Sequence, residues 1–369
     1  MLITDLPELV KQLPDVRRER FERIFDVALA EGRCSIPPAM REWVMQHFGS
    51  VEGVECQHIV RVTNRITWEG ALFNPLRARR PMPRHPAAPV VNSSASPDEP
   101  ISNNFVRDPF ADPRNTTADD TFGRVRGEYC ITTSNIARWD GQCAVLIFDE
   151  PDPLAFTRDH LRDYFRTALR WAEAAHLADP QARHLVWMWN GGPAGGASVA
   201  HAHAQLGLGR SSNYASVEGL RQDALGYSSR YGSSYFDDLH AVHDDVGLGF
   251  THGALRGFVN LAAIRPADTW ILGDALDDKL ANAVHDVLRA YMDRAGLRGF
   301  DVGVVMPPLF EDQHAGLINA DWSGFPVIAR VVDRGSPQAA SSDVGSMDIF
   351  AQRVISADPY AAREALENI

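Results

Sequence analysis

Lysine is nearly missing from this chain: only two of its 36 basic residues, Lys11 and Lys279, are lysine, and the rest are arginine. That bias fits a GC-rich coding composition and excludes no substrate. The shortage of positive charge as a whole is more telling. A formal net charge of −12 disfavours a nucleic-acid groove as the main function, while a local basic patch can still hold a phosphorylated small molecule. Cysteine is also scarce, and Cys34, Cys56, Cys130 and Cys143 form no CxxC pair, so neither a zinc knuckle nor a dithiol redox motif is written. They read as buried thiols. No apolar run approaches the length of a membrane span, and the opening MLITDLPELVKQLPDVRRER carries charges where a signal peptide needs its apolar core. The expectation is a soluble, cytoplasmic protein with no membrane and no nucleic-acid partner.

With 369 residues, 45% of them hydrophobic, the chain can bury a large core. Residues 5–48 read as two short helices broken by the SIPP segment at Ser35 to Pro38, since proline removes a donor and clashes in a helix interior. Gln57 to Phe73 alternates apolar and polar residues, as a hairpin or two adjacent strands do. Residues 81–120 are rich in Pro, Asn, Asp and Ser and read as a long irregular connection.

Beyond them one order of elements occurs twice. In the first copy, the strand Cys143 to Phe148 leads through DEPDP to a helix from about Thr157 to Leu177, to the strand His184 to Asn190, and to a strand bearing histidines. In the second, Phe258 to Ile264 leads through RPAD to a helix from about Asp274 to Arg294, to FDVGVVMPP and to FPVIARVVD. The fold class predicted is α+β, two related units packed as one body. Residues 1–215 form the catalytic unit with a helical cap and the long loop, and residues 216–369 a unit without the catalytic histidines.

The chemistry concentrates in NGGPAGGASVAHAHAQLGLGR, Asn190 to Arg210. On an extended strand alternate side chains share a face, so His201, His203 and Gln205 point one way and Ala202 and Ala204 into packing. The preceding Gly191, Gly192, Gly195, Gly196 and Ser198 let backbone N–H groups approach an anion. GGPAGG without a following GK[ST] is not a P-loop, and HxH by itself also suits surface residues or metal ligands.

Asn190, the glycine run, the GAS at Gly196, Ala197 and Ser198, and Gln205 two residues past the second histidine together resemble the histidine-triad (HIT) superfamily. The likeness is to its transferase branch, which includes the galactose-1-phosphate uridylyltransferases and the diadenosine tetraphosphate phosphorylases. Ala202 stands where the uridylyltransferases usually carry proline. FNPLRARRP, Phe73 to Pro81, is similar to an arginine-bearing segment of that branch, which implies Arg77 and Arg80 near nucleotide phosphates. SNNF is similar to the segment that holds the nucleoside, which implies Asn103, Asn104 and Phe105 at ribose and base. The resemblance further implies two HIT-like units, each an antiparallel sheet with packed helices, fused in one chain, and a homodimer.

The resemblance implies His203 as nucleophile, and the chemistry agrees: one ring nitrogen can attack an α-phosphorus if the other keeps its proton on a backbone carbonyl. The arginines, Ser198, the glycine N–H groups and the Gln205 amide suit the charge on the transferring phosphoryl group. Hydrolytic members carry histidine where Gln205 stands. An amide donates a hydrogen bond but is no general acid or base, so glutamine favours transfer to an already ionised phosphate. In some members the first histidine helps bind zinc with a CxxC pair, which this chain lacks, so His201 is expected to pack or to orient the strand, and no metal or cofactor is expected. His240, His243, Asp244 and Asp245 read as a solvated helix end rather than ligands. Asp343 and Asp348, in SDVGSMDIF, read as part of a closing turn, with a sugar contact as the alternative.

The expected function is a nucleotidyltransferase, like a hexose-1-phosphate uridylyltransferase, moving a nucleoside monophosphate through His203 between a nucleotide sugar and a sugar 1-phosphate. One alternative is a phosphorylase acting on a dinucleoside polyphosphate or nucleotide sugar. Another, of a different class, is a catalytically silent nucleotide-binding regulatory protein. The partners implied are a nucleotide sugar or dinucleotide and a phosphorylated acceptor.

Overall fold

The structure is a computed structural model that describes residues 1–79, 108–310, 320–335 and 346–369. The chain opens with helices α1 (Leu6–Gln12) and α2 (Asp15–Ile24), then strand β1 (Phe25–Arg33), α3 (Pro38–Phe48) and α4 (Val51–Glu55), followed by β2 (Cys56–Asn64) and β3 (Gly70–Phe73). The expectation of two short helices across residues 5–48 missed β1. Its Ala, Leu and Glu are good helix formers, but nine consecutive pairings with β2, Phe25 with Asn64 through Arg33 with Cys56, override that local preference. The strand pair expected over Gln57 to Phe73 is present as β2 and β3.

After a single turn, α5 (Pro113–Thr116), come β4 (Cys130–Ser134), β5 (Gln142–Phe148), α6 (Arg158–Ala178), β6 (Ala182–Gly191) and β7 (His203–Arg210). Helices α7 (Ala215–Tyr231) and α8 (Tyr235–Asp245) then lead to β8 (Gly249–His252), β9 (Leu255–Val259), β10 (Thr269–Gly273), α9 (Asp278–Arg294), β11 (Phe300–Val305) and β12 (Val327–Asp333). The chain closes with β13 (Gln352–Ile355) and α10 (Pro359–Ala365). No helix among the described residues is long and apolar enough to cross a membrane.

The strands build two sheets. The larger, ordered β4-β5-β7-β6-β11-β12-β10-β9-β8, is antiparallel throughout, and β6 pairs with β11 where its two halves meet. On each side of that seam the same order recurs: strand, long helix, inner strand, then the strand that slots between the first and the inner one. The smaller sheet, β1-β2-β3-β13, joins strands from the two ends of the chain, with β13 parallel to β3.

In the second half the strand before the long helix is β10, not Phe258 to Ile264 as expected. β9 ends at Val259, and the apolar Leu261, Ala262 and Ala263 are buried in a loop instead. A short apolar run does not reveal by periodicity which element it joins. Here the buried Asp268 carboxylate decides, accepting from Ile264 N–H at 2.9 Å and from Asn260 Nδ2 at 3.2 Å to close the loop.

The long helices lie side by side on one face of the large sheet. Thr157 caps α6 by accepting from His160 N–H, and Asp277 caps α9 by accepting from Lys279 and Leu280 N–H. Apolar residues at helical spacing, Leu161, Phe165, Ala168 and Ala172 on α6 and Leu280, Val284, Val287 and Leu288 on α9, are buried against the strands. Between the helices Arg158 binds Asp286, Arg162 binds Asn282 and Arg166 binds Asp278, a ladder that fixes their antiparallel register.

His243 corrects an expectation. It is no solvated helix end: it is fully buried, stacked on Phe258 at 4.2 Å, with Nδ1 bonded to Leu239 O at 2.7 Å and Nε2 accepting from Leu261 N–H at 3.1 Å. Burial pushes its pKa down to about 3, against the pull of the Leu239 hydrogen bond. The unfolded chain therefore binds a proton near pH 6.5 that the folded chain refuses. The stability tied to His243 is complete above pH 6.5 and drains away as pH falls toward about 3. Urea unfolding of wild type and His243→Phe across that range should show the variant losing less stability on acidification; parallel curves would overturn this. Asp245 is paired with Arg17 and Arg20. Cys130 and Cys143 are the expected buried thiols, whereas Cys34 is exposed just past the end of β1 and Cys56 half-buried.

Candidate active site at the start of the histidine strand

Strand β7 lies between β5 and β6, which fixes what surrounds each of its side chains. Ile147 pairs with His203, and Val145 and Met188 flank Gln205. Ala204, Leu206 and Leu208 are buried toward the long helices, so His203, Gln205 and Gly207 share the opposite face. Asn190, two residues past Met188 on β6, is on that face beside His203. The expectation placed His201 on the strand too, but the ladder begins at His203. Ala202 just before it is tied across to its neighbours, its N–H on Pro151 O at 2.9 Å and its carbonyl taking Phe148 N–H at 3.1 Å.

His203 is buried, and its Nδ1 lies 2.8 Å from the His201 carbonyl oxygen. A carbonyl only accepts, so Nδ1 holds the proton and Nε2 keeps its lone pair. Burial lowers the His203 pKa, the bond to the His201 carbonyl opposes that, and charge on His201 lowers it further, leaving it below the ordinary histidine range. The arrangement supplies a neutral, oriented imidazole nitrogen at neutral pH.

His201 is buried as well, and both its ring nitrogens meet acceptors: Nε2 the Phe148 carbonyl at 2.8 Å and Nδ1 the Asp108 carboxylate at 2.7 Å. Burial alone would raise the Asp108 pKa, but the hydrogen bonds from His201 and from Phe110 N–H outweigh it and hold the carboxyl below its usual range. The Phe110 ring stands edge-on to both imidazoles, 5.1 Å from His203 and 6.0 Å from His201. Beside them opens a cleft of about 350 Å³ lined by Phe110, Arg114, Arg126, Ile147, Phe148 and His201. Arg126 chelates Asp149, while Arg114 is exposed and has no partner among the described residues.

The Gln205 amide, the Asn190 amide and the exposed Ser198 hydroxyl have no hydrogen-bond partner among the described residues and remain available to a ligand. The glycine run divides. Gly191, Gly192 and Gly195 are spent on close packing across the β6–β11 seam: an added Cβ would meet the Phe300 ring at 2.2 Å, Arg298 O at 2.6 Å and Phe300 O at 2.9 Å respectively. Gly196, with φ +83°, is exposed and meets nothing, and Ala197 follows it half-buried. Of the glycines in the run, only Gly196 has open space where a Cβ would be added. Gly192 sits at φ 76°, ψ 171°, a region that is essentially glycine-only. Gly192→Ala should cost at least about 1–3 kcal/mol, and Gly196→Ala about 1 kcal/mol; urea unfolding giving equal losses would contradict the division.

Arg77, on the 3₁₀ turn Pro75–Arg79, lines a different cleft with Trp43, Phe48, Gln57, Asn74 and Leu76, which shares no lining residue with the cleft at His201. Arg80, Asn103, Asn104, Phe105 and Asp343 lie outside the described residues. Asp348 is engaged by Arg265 Nη1 at 3.0 Å, as its structural reading expects. Among the described residues no group of three or more His, Cys, Asp and Glu side chains is placed to hold a metal ion. Sequence reasoning missed Asp108, Phe110, Arg114 and Arg126, because each lies far from the histidines in sequence. The one signal was the DPF turn following SNNF.

No family model and no curated protein sequence matches this chain. Solved structures do. An ADP-glucose phosphorylase from Arabidopsis thaliana, solved with bound ADP-glucose, superposes with a TM-score of 0.55 at 16% identity, covering 82% of this chain and 96% of its own. A uridylyltransferase superposes with a TM-score of 0.54 at 14% identity over 83% of this chain and 96% of its own. A galactose-1-phosphate uridylyltransferase-like protein from Arabidopsis thaliana gives 0.51 at 16% identity over 71% and 91%. These neighbours are nucleotidyl-transfer and phosphorolysis enzymes, and at such identity the likeness speaks for fold. The fold of this chain is that of these uridylyltransferase and phosphorylase structures, an α+β protein in which two similar units share one antiparallel sheet.

Proposed function

We propose that this chain is a nucleotidyltransferase that carries a nucleoside monophosphate on His203 between a nucleotide sugar and a sugar 1-phosphate. The observation that carries the reading is the Nδ1 bond to the His201 carbonyl, which leaves Nε2 unprotonated on the face of β7 that also carries Gln205. In the first displacement Nε2 attacks the α-phosphorus, a P–N bond forms, and the bond from that phosphorus to the bridging oxygen breaks, releasing a sugar 1-phosphate. In the second, a phosphate oxygen of the acceptor attacks the same phosphorus and Nε2 leaves with its lone pair. Donor and acceptor are both ionised phosphates, so no general acid is needed, and an amide at Gln205 suffices to hold a phosphoryl oxygen.

Asn190, Ser198 and the N–H groups of Gly196 and Ala197 are suited to the remaining oxygens. Arg80 is assigned to the nucleotide phosphates, and Asn103, Asn104 and Phe105 to the nucleoside; Arg77, which lines the separate cleft with Trp43 and Asn74, is given no phosphate role. Residues 1–215 supply the nucleophile, and residues 216–369 form the far side of the seam; β12, which follows β11 as β7 follows β6, carries no histidine.

The test is to incubate the protein separately with UDP-glucose, UDP-galactose, ADP-glucose and diadenosine tetraphosphate and to measure its intact mass. One donor should add a single nucleoside monophosphate, and the adduct should be discharged by a sugar 1-phosphate. Discharge by inorganic phosphate alone would replace the transferase with a phosphorylase, and no adduct with any donor would overturn the reading.

A further inference from the structure

We infer that Asp108 is a positioning residue for His203, acting through His201. The inference rests on the proposed role of His203 as nucleophile but reaches a residue outside the histidine motif. The tautomer of His203 depends on one acceptor, the His201 carbonyl. That carbonyl belongs to a residue outside the strand ladder: β7 starts at His203, and among the described residues the His201 oxygen accepts from no backbone N–H. Its direction is set by the other side of the same planar peptide, where Ala202 N–H bonds Pro151 O at 2.9 Å, and by what holds the His201 ring. Two contacts do so, Nε2 on the Phe148 carbonyl and Nδ1 on Asp108, and only the second comes from a side chain that substitution can remove.

Asp108 is built for the task. One carboxylate oxygen takes the His201 Nδ1–H, and the other takes Phe110 N–H at 2.9 Å, so the same turn that grips His201 sets the Phe110 ring edge-on against His203. A charge-assisted bond of this kind is short and stronger than a neutral one, and it confines the His201 ring to one orientation. With Asp108 removed, the His201 ring keeps a single anchor and the Phe110 turn loses its acceptor, so the His201 carbonyl is held mainly through Ala202 N–H, its bond to His203 loosens, and the proton of His203 can move to Nε2, which ends nucleophilic competence. Partners that orient metal-binding histidines are worth about 10–100-fold in function, and a loss of that order is expected for a partner that orients His203 at one remove.

Asp108→Ala, with Asp108→Asn beside it, separates this role from simple packing. Asparagine offers one acceptor oxygen where the carboxylate offers two, so it should fall between alanine and wild type. For the rate of adduct formation from the active donor, a roughly 10–100-fold loss in kcat with KM little changed is expected for Asp108→Ala.

A second measurement does not need turnover. In ¹⁵N-labelled protein the His203 signals, identified by their loss in His203→Ala, should show a protonated Nδ1 and an unprotonated Nε2 in wild type, and a mixture of both tautomers in Asp108→Ala. If Asp108→Ala keeps the wild-type tautomer and rate, the inference is wrong. If wild type shows the Nδ1–H tautomer and Asp108→Ala loses it while no donor forms an adduct, the positioning role stands and the transferase reading alone fails.

Discussion

His203→Ala should abolish the proposed covalent nucleotidyl adduct and lower turnover by on the order of 10⁴- to 10⁶-fold, the scale on which a covalent enzyme suffers from losing its nucleophile. The structure explains why the loss is chemical and not one of folding. The backbone of residue 203 stays in the ladder between β5 and β6, and Ala204, Leu206 and Leu208 keep the strand seated on the helices. Alanine leaves the His201 carbonyl without a donor and a small gap beside Phe110, and neither disturbs the sheet. Circular dichroism and the urea midpoint should remain close to wild type. Because Gln205, Asn190 and Ser198 are still present, the variant should bind donor with similar affinity, so the effect falls on kcat. An equally labelled His203→Ala protein would place the nucleophile elsewhere.

Arg330→Met should destabilise the protein by about 3–5 kcal/mol, because it removes one partner of a buried ion pair and leaves the other charged. Asp268 is wholly inaccessible, and Arg330 binds it through Nε at 2.8 Å and Nη2 at 2.6 Å. The guanidinium also lies over the Trp270 ring at 5.0 Å, where a cation is attracted to the aromatic face. Asp268 in turn closes the Asn260–Asp268 loop, so the loss spreads from β12 to the β9–β10 connection. The double variant Arg330→Met/Asp268→Asn should regain part of that stability, since no buried charge remains and the amide oxygen still accepts from Ile264 N–H. Urea unfolding measures both, and an Arg330→Met loss below about 1 kcal/mol would show the pair to be solvated like a surface one.

Elements with strong periodicity were legible in the amino-acid sequence. Helices α6 and α9 declare themselves through apolar residues at helical spacing, and β5, β6, β11 and β12 through apolar runs between turns. Where a segment's local preference disagrees with its pairing, the reading failed. β1 is made of helix formers held extended by β2, and Leu261 to Ala263 is an apolar run held as a loop by Asp268. His243 shows the same limit for a side chain: a histidine among aspartates looks solvated until Phe25 and Phe258 close over it.

By itself the sequence determined the α+β architecture with its repeated order, and which residues share one face of β7, because a period of two puts His203 and Gln205 together in any extended strand. Only the tertiary structure decided which carbonyl fixes the proton of His203, that Asp108 and Phe110 come from 93 and 93 residues upstream of His201 and His203 to hold the pair, and that three glycines of the run serve packing. The physical reason is common to all three. Each depends on atoms brought together across the fold, where directional hydrogen bonds and hard-sphere contact act over a few ångströms that sequence spacing does not encode.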